Sequence, residues 1–380
     1  MERIYVDHAA TSPMHPKVID AMVHEMNETF GNPSSIHFYG RQARQKIDES
    51  RRICAESIGA KANEIIFTSG GTESDNLALR GVAFSNKEKG KHIITTKIEH
   101  HAILNTCKVL EKEGFEITYL PVDESGRISI EDVKKALRDD TILVSIMMVN
   151  NEVGTVQPIN EIGDLLKEHQ AYFHTDAVQA YGLLPINVYE MGIDLMSVSS
   201  HKINGPKGVG FLFAQESVVF SPQVFGGEQE RKRRAGTENV PGIVGFATAI
   251  QIIQQEREER STSYLAYRTL LMDELSNEQI EFEMNGNSTY LSPHVINLSF
   301  KDISIESFLV NLDISGIAAS SGSACTAGSI DPSHVLVAMF GKGSEKLRSS
   351  VRFSFGLGNT EEQIKELAKR VASIVRRLTA

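Results

Sequence analysis

The sequence lacks the short motifs of the common nucleotide, zinc and serine-hydrolase sites. There is no G-x-x-x-x-G-K-[ST], no H-E-x-x-H and no G-x-S-x-G. Gly205-Pro-Lys-Gly-Val-Gly210 has the wrong glycine spacing for a dinucleotide fingerprint. Cysteine is scarce as well: Cys54, Cys107 and Cys325 lie far apart and no C-x-x-C occurs. Neither a disulfide framework nor a zinc knuckle is readable, and a reducing compartment is the expected home. Long apolar runs are missing too. The longest, 142–149, contains Ser145 and falls short of the roughly 20 residues that cross a bilayer. Acids stand near the N-terminus, where a signal peptide needs an uninterrupted apolar region, so the expectation is a cytoplasmic protein with no membrane association. Positive charge is not in excess: Lys+Arg number 39 against Asp+Glu 49, a formal charge of −10. That balance argues against a broad nucleic-acid surface, and the single basic run Arg231-Lys-Arg-Arg234 reads as a solvated loop or a local anion contact.

What is present is a chain of 380 residues, 41% of them hydrophobic, enough for two or three domains with their own cores. Short β-rich apolar segments predict strands at 64–69, 92–97, 116–120, 141–147, 172–176, 195–199 and 210–214. Amphipathic segments between them predict helices at 73–89, 102–113, 130–138 and 159–169. This alternation predicts an α/β domain around a mostly parallel sheet. After Val240 one long helical stretch begins, with a charged break at 255–260 that we take as a domain boundary. The expected division is a large α/β domain over 15–257 and a smaller α+β unit made of 1–14 and 258–380. The smaller unit would carry extended segments near 280–283 and 295–300 and helices at 304–311 and 361–378.

Three strand ends carry chemistry. Glu64-Ile-Ile-Phe-Thr-Ser-Gly-Gly-Thr-Glu73 runs from a strand through two glycines into a helix start, where free backbone N–H groups favour a phosphate. Tyr172-Phe-His-Thr-Asp-Ala-Val-Gln179 leaves Asp176 at the carboxyl end of a strand, with Gln179 one turn later. Leu195-Met-Ser-Val-Ser-Ser-His-Lys202 ends another with hydroxyls, a histidine and a lysine. Ligands of open α/β sheets bind outside those ends. Taken singly, Asp176 reads as a helix N-cap, Lys202 as a loop lysine and Glu99-His100-His101 as a surface run. Together, a phosphate turn, a carboxylate that favours a protonated ring nitrogen and a lysine able to bond an aldehyde describe a pyridoxal phosphate site. Cys325 lies in Ala318-Ala-Ser-Ser-Gly-Ser-Ala-Cys-Thr-Ala-Gly-Ser329, too poor in apolar anchors to bury it, and reads as a nucleophile in a mobile surface loop. Cys54 and Cys107 sit at helical spacing and read as core residues.

At this point the sequence resembles the pyridoxal-phosphate-dependent cysteine desulfurases of the NifS/IscS type, essentially from Tyr5 to Leu357. The matching segments include Asp7-His-Ala-Ala-Thr11, Thr68-Ser-Gly-Gly-Thr-Glu-Ser-Asp-Asn76, Val149-Asn-Asn-Glu-Val-Gly154, Ser200-His-Lys202, Arg234-Ala-Gly-Thr237, Ser321-Gly-Ser-Ala-Cys-Thr326 and Val351-Arg-Phe-Ser354. The resemblance implies the aspartate-aminotransferase-like fold (fold type I) and conversion of L-cysteine to L-alanine, with the sulfur held as a persulfide on Cys325. It implies that Lys202 bonds the cofactor, His100 stacks on its ring and manages protons, Asp176 pairs with the ring nitrogen and Gln179 reaches the phenolic oxygen. Gly71, Thr72, Ser199 and His201 would hold the phosphate, joined by Thr237 from the second subunit of a homodimer, and Ser200 would also belong to the cofactor site. Asn151 would lie beside cofactor and substrate, and Arg352 would clamp the substrate carboxylate.

Three other readings stay open at this stage. A selenocysteine lyase or another enzyme of the same fold would keep Lys202 and Asp176 without needing Cys325. A sulfur-handing scaffold would not need the cofactor residues, and a metal module would use Glu99, His100, His101 and Cys107. Longer members of the resembled family carry, beyond their last helix, a tail that docks an iron–sulfur scaffold, whereas this sequence ends at Ala380. The sulfur acceptor is therefore expected to be either such a scaffold or a tRNA-thiolating enzyme.

Overall fold

The computed structural model describes residues 2–287, 289–321 and 332–379. Its centre is a seven-stranded sheet whose strands lie side by side in the order Ile65–Thr68, Gly210–Ala214, Leu195–Ser199, Tyr172–Asp176, Thr141–Ser145, His92–Thr96 and Glu116–Leu120. All pairs are parallel except the two made by Gly210–Ala214, which runs against both neighbours. Every residue of Ile65–Thr68, His92–Thr96, Thr141–Ser145 and Leu195–Ser199 is buried. Helices cover both faces of such a sheet, so its strands read as continuous apolar runs rather than alternating ones.

The sheet's helices include Gly71–Asn86, His101–Lys112, Ile130–Ala136 and Ile159–Leu166. Each starts close to its predicted position and stops short of the predicted end, because the last polar residues turn into the loops. A second core forms around a three-stranded antiparallel sheet, Ser350–Ser354, Val295–Phe300 and Phe282–Asn285, with the helices Ile305–Ile314 and Glu361–Thr379. The last helix buries Ile364, Leu367, Ala368, Val371, Ala372 and Val375, one apolar stripe at helical spacing. Each large apolar side chain in that stripe contributes about 1.5–3 kcal/mol.

The helix Val240–Asn277 spans both cores in 38 residues, a length of about 57 Å. Asn239 caps it by accepting from the Gly242 amide at 3.1 Å. Val240 to Ile253 pack into the first core, and Tyr264, Leu271 and Leu275 into the second. The charged run at 255–260 does not interrupt the helix. It lies where the helix leaves one core for the other, and there Arg260 is buried, bonded to Glu256 and to Asn204 Oδ1 at 2.7 Å.

The N-terminal segment ties these parts together. Ile4–Tyr5 pairs in parallel with Ile317–Ala318. Asp7 then bridges to Ser354, and the chain continues to Ser12, whose hydroxyl donates to the His201 carbonyl at 2.6 Å. Among the described residues no helix is long and apolar enough to cross a membrane.

Candidate active site

A cavity of about 550 Å³ opens at the carboxyl ends of the central strands. It is lined by Gly71, Thr72, His100, Asn151, Asp176, Gln179, Ser199, His201, Lys202 and Arg352, residues spread over 282 positions of the chain. Their convergence follows from the topology. In a parallel sheet, every strand delivers its final residues and the following loop to the same edge.

The glycine turn is built for close approach. Gly70 has φ +145°, a conformation that side chains avoid, and a Cβ on Gly71 would sit 2.7 Å from Val178 Cγ2. The helix that starts here has Gly70 at its N-cap, with no side chain to cap it. Its first N–H groups face a cavity that Thr11, Ser199, His201 and Lys207 also line. Thr11 Oγ1 holds the His201 ring through Nδ1 at 3.1 Å. Glu73, whose charge would repel an anion, is turned away by Arg234, with Nε to Oε1 at 2.7 Å, and by the Ser69 amide at 2.8 Å.

Lys202 Nζ donates to the carbonyls of Ala9 and Ala10 at 2.5 and 2.8 Å. Burial, reinforced by the nearby Arg352 charge, lowers its amine to about 7, so a substantial fraction is unprotonated near neutral pH. Asp176 Oδ1 accepts from the Val178 amide at 2.9 Å. Burial raises the Asp176 carboxyl, while His100 and Lys202 pull against it. A protonated ring nitrogen at this carboxylate would supply the compensating charge. His100 Nδ1 accepts from the Ala102 amide at 3.2 Å, capping the helix His101–Lys112. A neutral ring in that arrangement carries its proton on Nε2. Burial lowers its pKa. The glycine turn, the low-pKa amine and the buried carboxylate therefore fit pyridoxal phosphate.

Arg352 is 4% exposed. Its Nη2 donates to Asp7 Oδ1 and Ser320 Oγ, both at 2.8 Å, and Nη1 to the Asn151 carbonyl at 2.8 Å, while Nε has no partner among the described residues. Gln179 is similarly held, donating to the Ala9 carbonyl at 2.9 Å and facing His294 Nε2 at 3.1 Å through Oε1. Two sequence-predicted residues stand apart from the cavity. The Ser200 hydroxyl is buried against Gly205 with no hydrogen-bond partner among the described residues, and Thr237 is exposed. Cys325 lies outside the described residues. Cys54 and Cys107 are buried, and burial raises both thiols, Cys107 to about 12, which suits inert core residues.

Sequence reasoning gave no separate role to Asp7, Asp75 or Glu152, and considered Glu99 only as a surface residue or a metal ligand. Asp75 lines the cavity, and its Oδ1 is 3.7 Å from His174 Nε2, a ring also held by Ser145 and Ser197. Burial, with Asp176 adding to it, holds the Asp75 carboxyl well above its ordinary range. His174 and Asp176 are two apart on one strand and share a face, so this polar layer was detectable from strand alternation. Glu99 accepts from the Met147 amide and from Thr96 Oγ1, bracing the backbone beside His100. Glu152 receives the Ser333 hydroxyl.

The family model for class-V aminotransferases matches residues 4–367. The chain is 62% identical over 379 residues to a protein of Bacillus subtilis (strain 168) described as putative cysteine desulfurase IscS 1, with 100% of both covered. It is similar to the solved structure of a NifS-like protein, with a TM-score of 0.92 and 35% identity over 99% of this chain and 100% of that one. A structure described as SspA in complex with cysteine matches with a TM-score of 0.80 and 37% identity, covering 93% of this chain and 98% of that one.

Proposed function

The chain belongs to the class-V aminotransferase family, and from that premise we propose that it is a pyridoxal-phosphate-dependent cysteine desulfurase of fold type I. It converts L-cysteine to L-alanine and keeps the sulfur. The observation that carries the reading is the meeting, in one cavity, of an amine lowered to about 7, a buried carboxylate and an arginine fork.

When bound, the cofactor supplies an electron sink that makes the substrate Cα–H bond acidic. Lys202 Nζ takes the Cα proton. Asp176 would hold a proton at the ring nitrogen, and His100 would stand beside the ring with its Nε2–H available for proton transfer. Gly71, Thr72, Ser199 and His201 bind the phosphate. The Arg352 fork orients the substrate carboxylate, with Asp7 and Ser320 fixing its plane. We assign the sulfur step to Cys325. Its thiolate bonds to the substrate sulfur, the Cβ–S bond breaks, and Cβ takes one proton and Cα another, the latter from Lys202, to leave alanine.

The direct test adds L-cysteine to the purified holoprotein and measures alanine together with protein-bound sulfane sulfur. Equal amounts of both in the first turnover are expected, and absence of alanine would sink the reading. Asp176→Asn should keep part of the cofactor yet lower kcat about 10²-fold or more, because a neutral amide cannot hold the ring proton. Full activity in that variant would remove the assigned role. Arg352→Lys should raise KM for L-cysteine about tenfold with a smaller change in kcat, since an ammonium cannot grip two oxygens in a plane. Steady-state kinetics separates the two effects.

The working unit is proposed to be a homodimer. Phe30, Ile36, Phe38 and Phe225 are exposed, Ile36 by 91% and Phe225 by 83%, which is unusual for large apolar groups on a monomer. Thr237 would reach the neighbouring subunit's phosphate. Mixing Lys202→Ala chains with Thr237→Ala chains should then yield heterodimers with one doubly damaged and one intact site. A fully active monomer in sedimentation defeats the idea. The acceptor of the sulfur is proposed to be a thiolating enzyme or an iron–sulfur scaffold, and the compartment to be the cytoplasm.

A further inference from the structure

Arg352, read above as the grip on the substrate carboxylate, already holds a carboxylate of this chain. Its Nη2 lies 2.8 Å from Asp7 Oδ1, and the pair is largely buried, with 5% of the Arg352 side chain and 19% of the Asp7 side chain exposed. A guanidinium has five N–H donors. Among the described residues three of them are committed: both on Nη2, to Asp7 and to the Ser320 hydroxyl, and one on Nη1, to the Asn151 carbonyl. Any carboxylate that joins this fork shares it with Asp7.

Asp7 is fixed where it stands. Its Oδ1 also accepts from the Ser320 hydroxyl at 2.8 Å, and its carbonyl accepts from the Ala10 amide at 3.0 Å and the Tyr5 hydroxyl at 3.1 Å. Its backbone bridges to Ser354, two positions beyond Arg352. A second carboxyl that senses the Arg352 charge, Glu152, is bonded by the Ser333 hydroxyl rather than by the guanidinium, and burial pushes it up to about 7. Among the described residues Asp7 is therefore the carboxylate in contact with the fork.

Two carboxylates on one guanidinium repel each other, and burial keeps water and salt from screening them. The repulsion falls on substrate and product alike. L-cysteine and L-alanine carry the same α-carboxylate, so a stronger grip there would bind both more tightly without acting on the Cα–H or Cβ–S bond. KM would fall, and alanine would leave more slowly.

We propose that Asp7 promotes product release: its fixed carboxylate weakens the hold of Arg352 on amino-acid carboxylates, and L-alanine leaves in consequence. The proposal rests on the reading that Arg352 binds the substrate carboxylate. Asp7 acts through Arg352, whose plane its Oδ1 also helps to fix. These two effects of Asp7 predict opposite results when its charge alone is removed. Loss of a residue that only positions Arg352 weakens binding, whereas loss of a repelling charge strengthens it.

The experiment titrates the holoenzyme with L-alanine, following the visible cofactor absorbance, and repeats the titration with cysteamine, which is L-cysteine without its carboxylate. Asp7→Asn keeps an oxygen that accepts from Nη2 but carries no charge. It should bind L-alanine about tenfold more tightly and lower the KM for L-cysteine by a similar factor, with cysteamine affinity within about twofold of the unaltered enzyme. Asp7→Ser removes the same charge with a smaller side chain and decides the point if the asparagine variant fails to fold. Unchanged or weaker L-alanine binding in a folded Asp7 variant overturns the proposal. Equal tightening for cysteamine does so too, because it would place the effect away from the carboxylate. Arg352→Lys in the same titration checks the premise: weaker L-alanine binding is expected, and unchanged binding would remove Arg352 from the carboxylate and the proposal with it.

Discussion

Replacing Lys202 by alanine should abolish the visible absorbance of the bound cofactor and cut alanine formation by about 10⁴-fold or more, at or beyond the upper end of the loss from removing a general base. The size of the effect reflects two proposed functions in one amine: bonding the cofactor's aldehyde and removing the substrate proton. Among the described residues no other lysine lines the cavity. The change should cost little stability, because Nζ satisfies only the Ala9 and Ala10 carbonyls, which water can serve once the stem is gone. Spectra of the purified variant, with and without added pyridoxal phosphate, and an alanine assay decide the point. Turnover within tenfold of the unaltered enzyme would mean that a different group is the base.

Cys325→Ser should separate binding from sulfur transfer. None of the residues assigned to the cofactor falls within 318–329, so the colour and its response to L-cysteine should persist. Protein-bound sulfane sulfur should fall below detection, because a serine hydroxyl is far less acidic than a thiol and does not provide the nucleophile. Following the spectrum and the bound sulfur in the same sample makes the test internal. Normal sulfur release would defeat the nucleophile assignment and move the activity toward a simple lyase. Loss of colour would instead place part of the segment in the cofactor site.

The strands were legible because a parallel sheet buries both faces, and fully buried runs such as Thr141–Ser145 stand out as apolar without alternation. The site was legible for a related reason. Asp176, Ser199 and Lys202 follow the ends of recognisable strands, and parallel strands end on one side. What stayed hidden depends on distance along the chain. The Asp7–Arg352 pair is separated by 345 positions, and no local periodicity encodes it. The antiparallel course of Gly210–Ala214 was equally unreadable, since a five-residue buried strand looks the same in either direction. The run at 255–260 shows the reverse case. A charge cluster normally marks a solvated turn, but here it is a helical segment crossing from one core to another, with Arg260 drawn inward by Asn204.

The N-terminal segment also sets the time at which the enzyme can become competent. Ile4 waits for Ile317, Val6 for Ala318 and Ser354, and the carbonyls of Ala9 and Ala10 meet a lysine made almost 200 residues later. A ribosome adding about 5–20 residues per second needs roughly 20 to 80 s to complete a chain of this length. Until residues 317–318 and 354 are made, Ile4 and Val6 have no place to dock, although the strands of the central sheet emerge in an order that lets them assemble. The segment that holds Lys202 is therefore fully secured only after residue 354 has been made, long after the segment itself.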